Sequence, residues 1–218
     1  MSIIIDQLTR LLSVADLPDP PPADPMPLLQ RWLDDAAASK RYDDPNAMAL
    51  ATADAAGAPS VRMVLCKSVE PADGALVFFT NYHSRKGRDL DANPRCAAVF
   101  HWPHARRQAR AEGTVRRLTD AESDAYFDSR PLLSRIGAVV SRQSEPIASR
   151  AELVSAAVRL AGSAALGHAV RRPPHWGGYR LTAHTVELWS GHDGRLHQRV
   201  QWTRAAPAAP WTYRLLSP

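Results

Sequence analysis

The sequence has 218 residues, of which 45% are hydrophobic and 22% charged, so a wholly disordered chain is excluded. The formal net charge is +5, but the basic residues form only short clusters such as Arg106 and Arg107, which favours neither a nucleic-acid-binding nor a membrane-binding surface. No apolar run approaches the ~20 residues of a membrane span, and the start of the chain lacks the basic flank of a secretory signal. The two cysteines, Cys66 and Cys96, cannot form a disulfide framework and favour a reducing, cytoplasmic environment.

A proline-rich stretch marks the start of the predicted domain. Residues 1–26 are predicted to form an N-terminal arm, because the prolines of 18–22 cannot continue a helix. Residues 27–218 are predicted to form a single domain. Asp24 followed by Pro25 is typical of a helix start, and the apolar spacing that follows predicts a helix to about Ser39.

The rest of the chain alternates short strands with a few helices. Strands are predicted at residues 48–52, 61–67, 75–80, 96–102, 108–118, 179–181, 185–190, 196–203 and 211–215. Helices are predicted at 84–92, 119–129 and 149–161, the last two opening with capping boxes and ending before Pro131 and Gly162. Residues 163–174 are predicted to form a loop. This order favours an α+β protein with a β-barrel core and peripheral helices.

One candidate anion site lies on the helix that starts at Thr119. Tyr126 and Arg130 are four residues apart and therefore share a face of that helix, where a phenol and a guanidinium could clamp an anion. Ser134 follows closely and could add a hydroxyl. The alternative is an exposed helix end whose cation is favoured by the helix dipole.

A second candidate group lies on the predicted strand 196–203 and the residue before it. Arg195, His197 and Arg199 are spaced by two and would share one side of a regular strand. Two guanidinium groups flanking an imidazole would be costly to bury without an anion, whereas a solvated outer face is the alternative. Trp189 could stack on a planar ligand or belong to the core.

The third candidate group combines a strand with a helix start. Ser84, Arg85 and Lys86 open the predicted helix, and cations at a helix N-terminus are typical of a phosphate site. Arg62 and Lys67 point to opposite faces of a regular strand, so they would serve two anions unless the strand bulges between them. No metal site is indicated, because the neighbouring His101 and His104 have no Cys or acidic partner at ligand spacing.

Several motifs, in this order and spacing, are similar to those of the pyridoxamine-5'-phosphate oxidase family, flavoenzymes of vitamin B6 metabolism. The resemblance covers about residues 44–218. The motifs are Arg-Met-Val-Leu-Cys-Lys at 62–67, Phe-Phe-Thr-Asn-Tyr-His-Ser-Arg-Lys-Gly at 78–87, Tyr-Phe-Asp-Ser-Arg-Pro at 126–131, Ser-Arg-Ile-Gly-Ala at 134–138, Arg-Gln-Ser at 142–144, Pro-His-Trp-Gly-Gly-Tyr-Arg at 174–180, and Glu-Leu-Trp with Arg-Leu-His-Gln-Arg within 187–199.

The resemblance implies a split-barrel homodimer that binds FMN across the subunit interface. It implies flavin contacts at Arg62, Met63, Val64, Leu65, Cys66, Lys67, Phe79, Thr80, Arg85, Lys86, Gln108, Gln143, Ser144, Trp189 and Arg199. It implies substrate contacts at Lys67, Tyr126, Arg130, Ser134, Arg195 and His197, of which Arg195 and His197 would lie near the reacting carbon.

The implied reaction oxidises the exocyclic C–N or C–O bond of pyridoxamine or pyridoxine 5'-phosphate, with O2 as acceptor and H2O2 as product. The proline-rich arm and residues 141–146 are more similar to the flavin oxidase of phenazine biosynthesis, which remains the alternative. All six positions for a phosphorylated B6 substrate are retained, which favours the first activity. A non-catalytic flavin- or haem-binding split barrel is a third hypothesis.

Overall fold

Antiparallel strands form the centre of the structure, a computed structural model that describes residues 17–218. The strands are β1 (Ala47–Ala53), β2 (Pro59–Glu70), β3 (Ala75–Asn81), β4 (Arg95–Trp102), β5 (Arg107–Arg117), β6 (Trp176–Ser190), β7 (Gln198–Thr203) and β8 (Thr212–Leu215). They follow the order β3-β2-β1-β4-β5-β6-β7-β8, and pairing of β3 with β6 closes the first six into a barrel. The predicted α+β barrel is confirmed.

The helices within the described range surround this barrel. They are α1 (Met26–Ser39), α2 (Arg85–Ala92), α3 (Asp120–Ser129), α4 (Leu132–Val140) and α5 (Arg150–Ala165). The start of α1 is confirmed to within one residue, because Pro25 occupies the N-cap position and the amide of Met26 donates to Asp24 Oδ1 at 2.8 Å. No helix among residues 17–218 is long and apolar enough to cross a membrane.

The alternation of buried and half-buried side chains along β1 shows on which side of the strand the core lies. Met48, Leu50 and Thr52 are buried, while the alanines between them are half-buried. Helix α1 packs against the barrel through Trp32, whose ring meets that of Trp102 edge to face with centroids 6.4 Å apart. A second, smaller cluster lies among the helices and β6, and it contains Phe127, Ile136, Val170 and Trp176.

Two predicted boundaries in the second half of the chain are wrong, and one helix there was not predicted. The strands predicted at 179–181 and 185–190 are one strand, β6, because residues 182 and 183 also pair with β5 across a bulge after Glu112. Helix α5 continues through Gly162 to Ala165. Its last turns pack against the second cluster, and this packing outweighs the low helix propensity of glycine. Helix α4 was not predicted, and it begins directly after Pro131, its N-cap residue.

The strand predicted to contain His197 begins later than expected. Arg195 closes a short 3-10 turn, Asp193–Arg195, and has a φ of +66°. Strand β7 starts only at Gln198, so Arg199 lies in the strand and His197 precedes it. The prediction that all three basic residues share one face of a regular strand is therefore wrong.

Residues 1–16 of the predicted arm lie outside the described residues, but its end packs on the barrel. Leu17 is buried, and its amide donates to Gln198 Oε1 at 3.2 Å. The indole of Trp202 donates to the carbonyl of Pro22 at 2.8 Å. The proline-rich stretch is therefore joined to β7, while the division at residue 26 stays a prediction.

Candidate active site

A cavity of about 540 Å³ lies between the barrel and the helices α2, α3 and α4. This volume is within the range of small-molecule sites, roughly 300–1,000 Å³. Its lining comes from strands β2, β3 and β6, from these helices and from the segments that follow α3 and α4. Among the described residues that line it, three side chains are cationic and none is a carboxylate, so the cavity is suited to an anionic ligand.

The structure brings many of the predicted site residues together on this cavity. Those that line it are Met63, Val64, Leu65, Lys67, Phe79, Thr80, Lys86, Tyr126, Arg130, Ser134 and Gln143. They come from distant parts of the sequence, and the barrel and the helix pair α3–α4 place them side by side.

One end of the cavity is built around the first turn of α2. Ser84 caps this helix by accepting from the amide of Gly87, and the adjacent Lys86 is buried. Lys86 Nζ donates to Gln143 Oε1 at 2.9 Å and to Thr80 Oγ1 at 3.2 Å. Burial, together with the positive charge of Arg62, lowers the pKa of Lys86 to about 8. A buried ammonium held by neutral acceptors is stabilised when an anion joins it.

The glycine that follows Lys86 is required by close packing. A Cβ on Gly87 would lie 2.0 Å from the backbone oxygen of Tyr82, so no larger residue fits without moving the backbone. This contact fixes α2 against the end of β3 and thereby sets the position of Lys86.

The other end of the cavity contains Arg130. Its guanidinium lies 4.6 Å from the ring centre of Trp176, and its buried Nη1 has no hydrogen-bond partner. Burial lowers the pKa of Arg130. Tyr126, one turn earlier, stacks on Phe79 with ring centres 3.9 Å apart. An unpaired buried guanidinium nitrogen is costly, so this end is suited to a second anionic group.

Lys67 lies on the cavity side of β2. Met63 and Leu65, four and two residues earlier, also line the cavity, so regular alternation along the strand already places Lys67 on that face. Arg62 has the opposite parity and does not line the cavity, and its guanidinium donates to Thr52 and Ser60. The pairing of β2 with β3 shifts register between Cys66 and Ser68, so the bulge that the sequence left open is present, but Arg62 and Lys67 still point to opposite faces.

Another group of predicted residues lies away from this cavity in the same chain. Its members are Gln108, Trp189, Arg195, His197 and Arg199. The rings of Trp189 and His197 are 4.7 Å apart, and Arg199 forms an ion pair of 2.8 Å with the buried Glu187. One chain thus holds two separate halves of the predicted site.

The protonation of His197 follows from its surroundings. The amide of His192 donates to His197 Nδ1 at 3.1 Å, so the neutral ring carries its proton on Nε2. Desolvation, together with the charges of Arg195 and Arg106, lowers the pKa of His197. At neutral pH the ring can therefore donate a hydrogen bond through Nε2.

The remaining predicted residues do not line the cavity. Arg85 and Ser144 are exposed beside Lys86 and Gln143, and Ser144 has a φ of +73°, a conformation found at ligand-binding turns. Cys66 is buried, which raises the pKa of its thiol to about 12, so it is unreactive. Among residues 17–218 no group of three His, Cys, Asp or Glu side chains could hold a metal ion.

Sequence reasoning missed several lining residues. They are Asn81, Pro131, Gly137, Ala138, Ser141 and Trp176. Trp176 has the clearest signal, because it stands in the motif at 174–180, although no pattern showed that it would stack beneath Arg130.

The barrel, with a cation-lined cavity beside it, is the architecture of the split-barrel class of proteins. Residues 34–163 match the family described as pyridoxamine 5'-phosphate oxidase, and residues 176–218 match the pyridoxine 5'-phosphate oxidase C-terminal dimerisation region. The chain belongs to the pyridoxamine 5'-phosphate oxidase family and is a flavin-dependent oxidase of that kind. The second match supports the predicted homodimer.

Curated relatives and solved structures agree with this assignment. Proteins named pyridoxine/pyridoxamine 5'-phosphate oxidase are 48% identical over 195 residues in Cupriavidus necator and 50% identical over 196 residues in Burkholderia orbicola, with 89% of each chain covered in both comparisons. PhzG from Burkholderia lata, solved with tetrahydrophenazine-1-carboxylic acid, has a TM-score of 0.84 at 33% identity and covers 92% of this chain and 95% of its own. A related FMN-binding protein from Nostoc punctiforme, with a TM-score of 0.69 at 16% identity over 94% of this chain and all of its own, shares the fold.

Proposed function

We propose that the protein oxidises pyridoxamine 5'-phosphate and pyridoxine 5'-phosphate to pyridoxal 5'-phosphate, with FMN as cofactor and O2 as electron acceptor. The observation that carries the proposal is the pair of cationic ends on one cavity, Lys86 at one and Arg130 with its unpaired Nη1 at the other. Two separate anionic groups fit this arrangement, the phosphate of the cofactor and that of the substrate. The names of the curated relatives support the same activity.

The residues at the Lys86 end fit FMN. The helix N-terminus at Ser84 and the ammonium of Lys86 supply donors for a phosphate, and the exposed Arg85 adds a third cationic or polar partner. Lys67, the strand residues 63–65 and the stacked rings of Phe79 and Tyr126 line the same cavity, and we assign the flat ring system of the flavin to the strand residues. When bound, FMN supplies the hydride acceptor and passes the electrons on to O2.

The substrate phosphate is assigned to the Arg130 end. Arg130, Ser134, Tyr126 and Lys67 all line the cavity, and we assign the substrate phosphate to this group of cationic and hydroxyl side chains. These groups bind a part of the substrate that does not react, so their role is to orient the exocyclic carbon towards the flavin.

The reaction balances as a two-electron oxidation. The alcohol of pyridoxine 5'-phosphate loses a hydride and a proton to give the aldehyde, while O2 becomes H2O2. Pyridoxamine 5'-phosphate loses the same two electrons, and water then replaces the nitrogen, which leaves as ammonia. In the proposed site the neutral His197, which can donate through Nε2, would hydrogen-bond the substrate near the reacting carbon, with Arg195 beside it.

We further propose that the second half of the site acts across a homodimer. Trp189, Arg195, His197 and Arg199 all lie within residues 176–218, the part that matches the dimerisation region. They and Gln108 would complete the cavity of the partner subunit. We also propose a cytoplasmic location, because both cysteines are free thiols in the structure.

Oxygen consumption with a panel of substrates tests the proposed activity. We expect the FMN-loaded protein to turn over pyridoxine and pyridoxamine 5'-phosphates with release of H2O2, and to use unphosphorylated pyridoxine poorly. No turnover of either phosphate by the flavin-loaded protein would refute the proposal.

A second candidate function is supported by the structural similarity to PhzG, whose solved complex contains tetrahydrophenazine-1-carboxylic acid. The cation at Arg130 could bind a carboxylate as well as a phosphate. The same assay with a reduced phenazine carboxylate separates the two, and turnover of that compound with negligible turnover of both phosphates would establish the alternative.

A further inference from the structure

A buried polar cluster joins α2 to the barrel wall behind the Lys86 end of the cavity. It consists of Thr52 on β1, Arg62 on β2 and Asp89 on α2, and Thr52 and Asp89 are only 3% and 5% exposed. The hydroxyl of Thr52 donates to Asp89 Oδ2 at 2.6 Å and accepts from Arg62 Nη1 at 2.7 Å. Arg62 Nη2 lies 3.6 Å from the same carboxylate oxygen. One hydroxyl therefore connects a cation of the barrel to an anion of the helix.

The cluster also holds Arg62 in a single orientation. Its Nη1 donates to the carbonyl of Leu50 at 3.1 Å and its Nη2 to Ser60 Oγ at 2.9 Å, so both terminal nitrogens are engaged. The positive charge of Arg62 is close enough to Lys86 to lower the pKa of that lysine, and Arg85 acts similarly on Arg62. Arg62 on β2 therefore repels both Arg85 and Lys86 in the first turn of α2.

Asp89 is the acidic group that the described structure places among them. It lies three residues after Lys86, on the same side of α2. Its ion pair with Arg62 offsets the repulsion between that arginine and the first turn of the helix. Without this carboxylate, Arg62 would repel the turn that carries Arg85 and Lys86.

We propose that Asp89 and Thr52 are positioning residues for the phosphate of the flavin: they hold the first turn of α2 against Arg62, so that Lys86 faces the cavity in a fixed arrangement with Arg85 beside it. This inference rests on the assignment of the FMN phosphate to the Lys86 end. Neither residue lines the cavity, so both act through Arg62 and the helix.

Binding of FMN and riboflavin to the apoprotein tests this, because the two ligands differ only in the phosphate. Thr52→Val removes the hydroxyl and keeps the shape, and Asp89→Asn removes the charge. We expect each to raise the Kd for FMN about tenfold, the effect of one lost charge-assisted hydrogen bond, and to change the Kd for riboflavin less than about twofold. Thr52→Ser, which keeps the hydroxyl, should bind FMN as tightly as the wild type.

The outcomes separate this inference from its premise. If wild-type protein binds FMN no better than riboflavin, the phosphate site itself is wrong and the inference falls with it. If the wild type prefers FMN but Thr52→Val keeps that preference, the positioning role alone is rejected. Equal weakening of FMN and riboflavin binding would show that the substitution loosens the whole site, and would also reject the positioning role. Tighter FMN binding by Asp89→Asn would show a simple charge effect and would reject it as well. Should Asp89→Asn fail to fold, the comparison of Thr52→Val with Thr52→Ser decides the question.

Discussion

At the scale of single residues, the burial of cations without an acidic partner is what suits this cavity to an anionic ligand. Lys86 and Arg130 are both desolvated, and the pKa of each is lowered by that burial. A lowered lysine pKa means that the charged form is destabilised in the folded apoprotein, and a bound anion relieves the cost. The two cations therefore favour ligand binding at the expense of apoprotein stability.

Binding of FMN should depend on pH through Lys86. Above about pH 8 the apoprotein must take up a proton to present a charged Lys86, so the Kd for FMN should rise up to about tenfold per pH unit. Fluorescence titrations of the apoprotein with FMN, from about pH 7 to about pH 9.5, would measure this. Riboflavin should show no such rise, and Lys86→Arg should abolish it because arginine stays charged. The same slope in the arginine variant would assign the titration to another group.

Whereas FMN binding should weaken as the pH rises, the free energy of unfolding of the apoprotein should increase. The folded pKa of Lys86, about 8, lies below the unfolded value of 10.5. Between these values the unfolded chain binds more protons, so the free energy of unfolding should rise as the pH rises from about 8 towards 10. Lys86→Met, which cannot be charged, should lose this rise in urea unfolding curves, and an unchanged curve would contradict the assignment.

Removal of Arg130 should affect substrate binding more than turnover. Arg130→Ala should raise the KM for pyridoxine 5'-phosphate roughly 10- to 100-fold with a smaller effect on kcat, because the group binds a non-reacting part of the substrate. Steady-state oxygen consumption would measure both constants. Arg116→Ala removes an exposed arginine away from the cavity and serves as the control. A loss confined to kcat would place Arg130 near the chemistry instead of the phosphate.

At the scale of elements, the strands of the barrel could be predicted better than the features that aim side chains into the site. The alternation of β1 and the capping boxes are local signals, and β1 and helix α3 formed as expected. Two local features of the predicted site residues, however, were not predictable. The bulge at Lys67 comes from pairing between strands, and the left-handed turn at Arg195 breaks a pattern that resembled a strand. Helix α4 lacks a polar cap and is stabilised by packing of Ile136, so its sequence gave no start signal.

Gly87 and Gly162 both lie in helices, and replacing each with alanine tests how tightly its helix is packed. A Cβ at Gly87 would meet backbone at 2.0 Å, whereas one at Gly162 in α5 would meet nothing within 4 Å. Gly162→Ala should therefore raise the free energy of unfolding by about 0.5–1 kcal/mol. Gly87→Ala should lower it by more than 1 kcal/mol, roughly the cost of overpacking, and should weaken FMN binding.

Urea unfolding of both variants at one fixed protein concentration would measure these changes, since dimer stability depends on concentration. Equal effects of the two substitutions would mean that α2 is free to shift away from Tyr82.

At the scale of the whole molecule, the separation of the site into two halves predicts complementation. If each active site takes Arg130 from one subunit and His197 from the other, a dimer of Arg130→Ala with His197→Ala contains one intact site and one doubly altered site. Random pairing of co-expressed variants makes half of the dimers mixed, so about a quarter of all sites should be native. Oxygen consumption should recover to about that fraction of wild-type activity. Recovery no greater than the sum of the two variants would place both residues in one subunit's site.

Closure of the barrel between β3 and β6 has a consequence for the protein during its synthesis. The paired residues, such as Phe78 and Tyr179, are about 100 positions apart. At roughly 5–20 residues per second, β3 waits on the order of 5–20 s for its partner to emerge from the ribosome. Its apolar segment Leu76, Val77 and Phe78 has no neighbour on that side in the interval, and such an edge readily pairs with another chain. Nascent chains that stall before Trp176 are therefore expected to aggregate through β3, and chaperone binding in this window should reduce that aggregation.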